Sequence, residues 1–266
     1  MSRAARTVEH LRTTLDVLAV SARMRVSELL ATPATLVLTV IQPTALLLIL
    51  LLSLPDQSPQ RTAHAVSGVL LTAFWGATVR GTGAVLARDR AQGVLARAVT
   101  GTKDARLVVL GKGLGAGLLS IGQISLALLA VLLLLRRPVS AHHPGWLAAG
   151  LLTALLSGAA VGMLIACLFV LTRHAMQIST MLIYGVYVLG GILIPPELLP
   201  AALRWLSYGI SLHWLQEFLG AAAAGRVQPW PLAAAAGLTA IYALCGALLF
   251  QRVVTRARKE ATLDVV

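Results

Sequence analysis

Long apolar runs recur along this chain, and they restrict it to very few folds. Of its 266 residues, 58% are hydrophobic and only 12% are charged, whereas soluble domains carry roughly 25% charged residues. Several runs reach the ~20 residues that a helix needs to cross the hydrocarbon core of a bilayer. We therefore predict an all-α, polytopic membrane protein with no large soluble domain.

The apolar runs divide residues 1–266 into one transmembrane domain with roughly six helical spans. Pro43 lies inside the first span and is expected to kink it, which membrane helices tolerate. The first run begins only near Leu36, after a long basic segment, so we expect no cleavable signal peptide. The predicted spans are 36–54, 63–86, 107–135, 146–171, 178–194 and 231–254.

Residues 9–30 precede the first span and have the pattern of one amphipathic helix. Leu11, Leu15 and Leu18 recur at helical spacing, while most charged side chains fall elsewhere around the helix. We expect this helix to lie in the membrane interface with its apolar side toward the lipid. Pro33 then predicts a turn into the membrane.

The charge of the chain is strongly positive, with 22 Lys and Arg against 10 Asp and Glu. These basic residues flank the apolar runs, so membrane topology explains them better than a nucleic-acid groove does. Their distribution places both termini and the 87–106 loop in the cytoplasm, although Arg136 and Arg137 fall on the opposite side. A composition rich in Arg, Ala and Leu suggests a bacterial cell (inner) membrane.

The 87–106 loop is the longest charged interruption between apolar blocks. Its apolar residues share part of one helical face, and its basic residues surround that face. This pattern is typical of a short amphipathic helix at a membrane surface.

A glycine-rich segment, 111–117, follows the loop at the start of the third span. It is not a phosphate-binding loop, because Arg106 and Gly113 occupy the positions where that motif requires glycine and Ser or Thr. Its glycines instead have the small-xxx-small spacing that lets helices approach closely. The predicted packing pairs are Gly111/Gly115, Gly113/Gly117 and, in the fourth span, Gly158/Gly162.

A few polar or aromatic residues inside the spans have two interpretations each. Arg80 either extends toward the nearby cytoplasmic interface or faces a substrate pathway. Met181, Tyr184 and Tyr187 either pack in the core or line an apolar pocket near a dimer axis. Two lone cysteines in apolar runs indicate packing residues rather than a disulfide or metal pair, and no convincing catalytic arrangement is present.

Residues 195–224 are too polar for a simple span and too apolar for a solvated loop. A helical hairpin that enters the outer leaflet and returns fits both properties. We expect the proline-rich start of this segment to shape an outer gate. The candidate gate residues are Pro195, Pro196, Glu197, Leu199 and Pro200.

The order of these parts resembles the type-2 permeases of ATP-binding cassette exporters over nearly the whole chain. In that family the cytoplasmic loop often reads Glu-Arg-x-x-Gly-Thr-Leu-Glu, followed by Gly-Lys. Here Asp89-Arg90-x-x-Gly93-Val94-Leu95-Ala96 stands in that place, with Gly111-Lys112 downstream. Val94 and Ala96 depart from the family pattern.

A second motif, residues 190–200 followed by 203–207, is similar to the family's Gly-x-x-x-Pro-x-x-x-Leu-Pro and the amphipathic stretch after it. The family often has Asn-Pro next, whereas this chain has Ile210-Ser211. The resemblance implies that the 87–106 loop is a coupling helix. The implied contacts with an ATPase subunit are Arg88, Asp89, Arg90, Gly93, Val94, Leu95, Arg97, Arg173 and His174. The three loop arginines either pair with acidic residues of that subunit or hold the loop at anionic lipid.

The resemblance also implies a transport subunit without its own ATPase and without a cofactor, since ATP and Mg²⁺ belong to a cytosolic ATP-binding cassette subunit. Two permease subunits, identical or different, are expected to pair within membrane lipid. The expected substrate is a hydrophobic or amphipathic small molecule, such as a drug, an antibiotic or a lipid. The alternatives are an exporter of a lipid-linked glycan, a membrane-embedded enzyme or a channel.

Overall fold

The computed structural model describes residues 3–53, 59–83, 85, 105–134, 143–171, 175–192 and 199–259, which contain helices, turns and bends but no strand. This confirms the predicted all-α class. The helices of the described residues are α1 (Arg3–Leu30), α2 (Pro33–Ser53), α3 (Pro59–Gly83), α4 (Ala105–Leu134), α5 (Pro144–Leu171), α6 (Ala175–Leu189), α7 (Ala201–Tyr208), α8 (Ser211–Ala223) and α9 (Pro229–Lys259).

Several of these helices begin with a proline. Pro33, Pro59, Pro144 and Pro229 each occupy the first helical position, where the missing N–H has no intrahelical partner to lose. A turn at Ala31 separates α1 from α2 before Pro33, as predicted, and the Thr32 amide donates to the Leu29 carbonyl at 3.1 Å. The helix α2 continues through Pro43.

The helix α3 lies at the centre of the bundle and packs against α2, α4, α5 and α8. Its Phe74 and Trp75 are among the largest fully buried side chains of the described residues. Burying two aromatic side chains removes several hundred Å² of apolar surface from contact with solvent or lipid. The rest of the core therefore assembles around α3.

The outward faces of the long helices are apolar. Leu126 and Leu133 of α4 are both 69% exposed, and Leu244 of α9 is 63% exposed. Such faces suit contact with lipid tails better than contact with water. By length and composition, three of the described helices can cross a membrane, within Arg106–Leu134, Pro144–Leu168 and Pro229–Val253.

The helix α6 is shorter than the fifth predicted span, 178–194. It begins at Ala175 and ends at Leu189, which gives 15 residues. The Gly190 amide donates to the Val186 carbonyl at 2.7 Å, and Gly191 has a φ of 76°, a left-handed conformation that favours glycine. The Gly190-Gly191 turn therefore ends the helix several residues before the predicted boundary.

Two short helices, α7 and α8, occupy the described part of the predicted hairpin. The side chains of α7 are mostly exposed, and Trp205 is 77% exposed. The helix α8 is mostly buried, and it packs against α3, α5 and α9. The two helices thus differ sharply in environment, although Gly209 and Ile210 alone separate them.

Candidate functional site

The predicted coupling residues lie outside the described residues, as do three of the predicted gate residues. Leu199 and Pro200 are described: Leu199 is buried, and Pro200 precedes the first residue of α7. The predictions that fall outside the described residues concern Arg88, Asp89, Arg90, Gly93, Val94, Leu95, Arg97, Arg173, His174, Pro195, Pro196 and Glu197.

The helices on either side of the 87–106 loop are closely packed against each other. Thr82 of α3 lies against Gly113 of α4, where an added Cβ would be 2.7 Å from the Thr82 Cβ. Thr78, one turn earlier, lies against Gly117 in the same way. The predicted small-xxx-small packing of this glycine pair is thus confirmed, and its partner is a threonine pair on α3.

The same threonine pair is bordered from the other side by α5. A Cβ added at Gly158 would lie 2.9 Å from the Thr78 Cβ, and one added at Gly162 would lie 2.5 Å from the Thr82 Cβ. Each threonine hydroxyl donates to a carbonyl of its own helix, so no polar hydrogen is left without an acceptor. Two glycine pairs, on α4 and α5, therefore enclose Thr78 and Thr82.

The helix α1 packs on the opposite glycine pair of α4. A Cβ at Gly111 would lie 2.7 Å from both the Leu18 carbonyl oxygen and the Ser21 Cβ, and one at Gly115 would lie 2.8 Å from the Ala22 Cα. Leu15 on α1 remains 64% exposed. The N-terminal helix therefore rests on α4 and still presents apolar side chains outward.

An ion pair lies on the same helix. Arg25 is buried, and its Nη1 atom is 2.9 Å from the Glu28 Oε2 atom. A buried guanidinium is stable only with a charged or hydrogen-bonding partner. The pairing of Arg25 with Glu28 therefore lets α1 bury a charged residue.

Arg80 and Tyr187 are brought together between α3 and α6. The two side chains lie side by side above Gly76, and the Tyr187 hydroxyl donates to the Thr72 carbonyl at 2.9 Å. Gly76 gives both groups room, since a Cβ there would collide with the Tyr187 hydroxyl and lie 3.4 Å from the Arg80 Nη1 atom. The guanidinium thus extends back along α3, away from the C-terminal end of that helix.

Tyr184 and Met181 continue this surface along α6. The Tyr184 and Tyr187 rings meet edge to face with centroids 6.2 Å apart. Met181, one turn earlier, is 76% exposed, and Tyr184 is 55% exposed. Of the four residues proposed from the sequence as a possible substrate pathway, Arg80 and Tyr187 are therefore adjacent, Tyr184 contacts Tyr187, and Met181 is exposed one turn further along α6.

A second polar group connects α3, α5 and α8. The Trp75 Nε1 atom donates to the Ser157 hydroxyl at 3.3 Å, and the Ser157 and Ser211 hydroxyls share a hydrogen bond of 2.6 Å. The Trp75 ring also meets the Tyr187 ring, with centroids 6.0 Å apart. The start of α8 is therefore joined to the centre of α3 and, through Tyr187, to α6.

The corner between α7 and α8 lies at the middle of the long helices. Ser157 is close to the midpoint of α5, and Tyr242, whose hydroxyl donates to the Gly209 carbonyl, is close to the midpoint of α9. The irregular backbone here is well satisfied, since the Ile210 amide donates to the Ser207 carbonyl at 3.0 Å.

From this corner α8 runs back toward the start of α5, where Phe218 meets Trp146 at 6.2 Å.

Sequence reasoning did not single out Ser157, Trp75 or Tyr242. Each is a hydrogen-bonding side chain inside an apolar run. Such side chains need partners within the protein, so this feature of the sequence could have identified them. Their partners are 33 to 82 positions away along the chain. Ser211, the partner of Ser157, was named from the sequence only because Ile210-Ser211 stands where the resembled family often has Asn-Pro.

Long helices with apolar outward faces, together with an irregular corner held inside the bundle, define this chain as a polytopic membrane protein. The sequence model of the ABC-2 type transporter family matches residues 17–222. The chain belongs to this family, so it is a transmembrane component of an ABC transporter rather than a catalytic subunit. Among curated proteins, none matches the sequence.

Proposed function

We propose that this chain is the permease subunit of an ATP-driven exporter in a bacterial cell membrane, with both termini in the cytoplasm. It exports a hydrophobic or amphipathic small molecule, such as a drug, an antibiotic or a lipid. A separate cytosolic ATP-binding cassette subunit holds ATP and Mg²⁺. The observation that carries this proposal is the packing of α4, which holds α1 on one glycine pair and α3 on the other.

Coupling follows from that packing. The 87–106 loop joins α3 to α4, and α1 rests on α4 through Gly111 and Gly115. A motor subunit that contacts both α1 and the loop therefore acts on one closely packed unit. Packed protein interiors have low compressibility, so displacement at the loop is transmitted rather than absorbed. Thr78 and Thr82 connect this packed unit of α1, α3 and α4 to α5, because they also pack against Gly158 and Gly162.

The α7–α8 pair serves as the re-entrant element of the outer side. Its corner lies at the midpoint of α5 and α9, and α8 returns toward the start of α5. Irregular backbone at membrane depth is tolerated where protein groups satisfy it, as Tyr242 does for the Gly209 carbonyl. Pro195, Pro196 and Glu197 precede this element in the chain and are proposed to form the gate.

A second permease subunit completes the pathway. The outward side of α6 exposes Met181 and Tyr184, and the charged Arg80 is exposed next to Tyr187 of the same helix. A second subunit that faces this side would enclose the charge between two membrane domains, which lowers the cost of holding it away from water. Identical and different partner subunits fit this role equally.

Co-expression with the ATP-binding subunit of a neighbouring gene tests the proposal. The wild-type chain is expected to copurify with that subunit and to stimulate its ATPase activity in proteoliposomes. Gly93→Pro and Leu95→Asp change the turn and the apolar contact of the coupling loop, so both are expected to reduce copurification and stimulation. Arg226→Ala, in the exposed connection before α9, serves as the control variant.

The two readouts divide the outcomes clearly. Loss of stimulation with Leu95→Asp but not with Arg226→Ala supports the coupling role. Full stimulation with both loop variants, or failure of the wild-type pair to copurify, would contradict the proposed function.

A further inference from the structure

The Arg80 guanidinium extends back along α3, away from the nearer end of that helix. Its Nη1 atom lies beside Gly76, one helical turn back from Arg80. Gly76 is seven residues before the end of α3, which corresponds to about 10 Å along the helix. A side chain that reaches for the nearer helix end would extend the opposite way.

A fixed tyrosine borders the guanidinium in this position. Tyr187 is held by its donation to the Thr72 carbonyl and by the edge of the Trp75 ring, and its hydroxyl lies with the Arg80 Nη1 atom over Gly76. Gly76 leaves the space that this arrangement occupies. The position of the guanidinium therefore depends on four other residues, which are Thr72, Trp75, Gly76 and Tyr187. An ordinary surface arginine that rotates freely has no comparable set of neighbours.

No carboxylate of the described residues pairs with Arg80. The described acidic residues are Glu9, Asp16 and Glu28 on α1 and Glu217 on α8, and the ion pair formed among the described residues joins Arg25 to Glu28. The Tyr187 hydroxyl is neutral, so none of the described residues supplies a negative charge to Arg80. A cation inside a membrane-spanning helix is expected to have a compensating anion.

Apolar groups border the cation on one side. Tyr184 packs against Tyr187, and Met181 follows one turn further along α6, both largely exposed. A thioether and an aromatic ring are adaptable partners for an apolar chain or ring system. The surface thus combines a fixed positive charge with an apolar strip along α6.

We propose that Arg80 selects an anionic amphiphile as the exported substrate, with a carboxylate or phosphate bound to the guanidinium and the apolar body along Tyr184 and Met181. This inference rests on the proposed function, because it names the substrate class of the same permease. The planar guanidinium suits these anions, since it offers two parallel N–H donors to two oxygens. Tyr187 is a positioning residue that holds the guanidinium in place.

Photo-crosslinking in nanodiscs of zwitterionic phosphatidylcholine tests this proposal without an ATPase subunit. The probe is diazirine-labelled palmitate, and the matched neutral probe is the corresponding diazirine-labelled alcohol. Labelled peptides of α3 and α6 are quantified by mass spectrometry. Palmitate is expected to label these peptides more than the alcohol does, and Arg80→Gln is expected to reduce palmitate labelling roughly tenfold, since a hydrogen bond to a charged group corresponds to about that factor in affinity.

Two further variants separate charge from structure. Arg80→Lys keeps the charge and is expected to retain part of the labelling. Tyr187→Phe removes the hydroxyl beside the guanidinium and is expected to weaken palmitate labelling with little effect on the alcohol. Thermal unfolding in the same nanodiscs checks that each variant is folded. Equal labelling by acid and alcohol, or undiminished labelling in folded Arg80→Gln, would overturn the proposal.

A competition experiment identifies the source of the anion. Phosphatidylglycerol added to the nanodiscs is expected to leave palmitate labelling largely unchanged if the site takes a substrate. Complete displacement by this lipid would show that the site is filled by headgroups of the surrounding membrane rather than by a transported molecule, and it would overturn the substrate assignment. Failure of the crosslinking leaves ATPase coupling intact, whereas failure of copurification leaves the crosslinking intact, so the two proposals fail separately.

Discussion

Ser157 of α5 and Ser211 at the start of α8 share a hydrogen bond of 2.6 Å, although 54 positions separate them in the chain. Both side chains are buried, and the indole N–H of Trp75 donates to the same Ser157 hydroxyl. One hydroxyl therefore holds a short helix against two long ones. This contact fixes how far α8 extends into the bundle.

Replacement of Ser157 tests this contact. Ser157→Ala removes the acceptor of the Trp75 indole and the partner of Ser211 together. Interhelical hydrogen bonds in membrane proteins average about 0.6 kcal/mol, and an unsatisfied buried donor adds to the loss, so we expect a destabilisation of about 1–2 kcal/mol. Circular dichroism of the detergent-solubilised protein measures the lower midpoint of thermal unfolding.

Ser120→Ala is the matched control for that measurement. Ser120 is equally buried, but its hydroxyl donates to the Ala116 carbonyl of its own helix. Its loss leaves no interhelical contact broken, and we expect a change of about 0.5 kcal/mol or less. Equal destabilisation by the two variants would mean that the Ser157 contact contributes nothing specific.

Tyr242 supports the corner between α7 and α8. Tyr242→Phe leaves the ring in place and removes the donor to the Gly209 carbonyl, so local opening of the corner becomes easier. Hydrogen exchange of the amides around Gly209 and Ile210 is expected to accelerate by roughly fivefold, which corresponds to about 1 kcal/mol. Thr239→Val, which removes a bond within α9 alone, is expected to leave this exchange unchanged.

The contact between α1 and α4 depends on the absence of a side chain at Gly115. Gly115→Val would place its Cβ against the Ala22 backbone, which cannot rotate away as a side chain can. Overpacking of this kind costs about 1–3 kcal/mol, so α1 is expected to detach and its amides to exchange faster. The same change at Gly122, which has no atom of the described residues within 4 Å of an added Cβ, is expected to leave α1 protected.

The outcome for ATPase coupling follows from the same pair of variants. If α1 and the 87–106 loop contact the motor as one unit, Gly115→Val reduces ATPase stimulation and Gly122→Val does not. Detachment of α1 with full ATPase stimulation would contradict the role of α1 in coupling.

Much of the architecture is readable from sequence periodicity and proline placement. The prediction 36–54 corresponds to α2 (Pro33–Ser53), and 107–135 corresponds to α4, because apolar length and helix-starting prolines are local signals. Glycine spacing correctly indicated close packing. It did not indicate that α4 and α5 enclose the same Thr78 and Thr82, since this depends on which helices become neighbours.

The candidate site was only partly predictable for the same reason. Arg80 and Tyr187 stood out as a cation and an aromatic residue in apolar runs, but their contact joins residues more than a hundred positions apart. The direction of the guanidinium depends on Gly76, which carries no functional signal of its own. Ser157 and Tyr242 were missed because single hydroxyls in an apolar run resemble ordinary packing residues.

The location of α7 can be tested by cysteine labelling in intact cells. In a background that lacks the exposed Cys245 and the buried Cys167, Ala202→Cys places a thiol on the exposed α7. A membrane-impermeant maleimide added outside is expected to label it, because the start of α7 lies about 12 Å from the corner in the middle of the bundle. Ala222→Cys on buried α8 is expected to stay unlabelled.

Ala31→Cys, in the exposed turn between α1 and α2, provides the opposite reference. With cytoplasmic termini, this thiol reacts only after the membrane is permeabilised. Labelling of Ala202→Cys from outside, together with protection of Ala31→Cys, agrees with a hairpin that enters from the outer leaflet. If Ala202→Cys instead reacts only after permeabilisation, α7 lies on the cytoplasmic side, and both the outer gate and the six-span topology have to be abandoned.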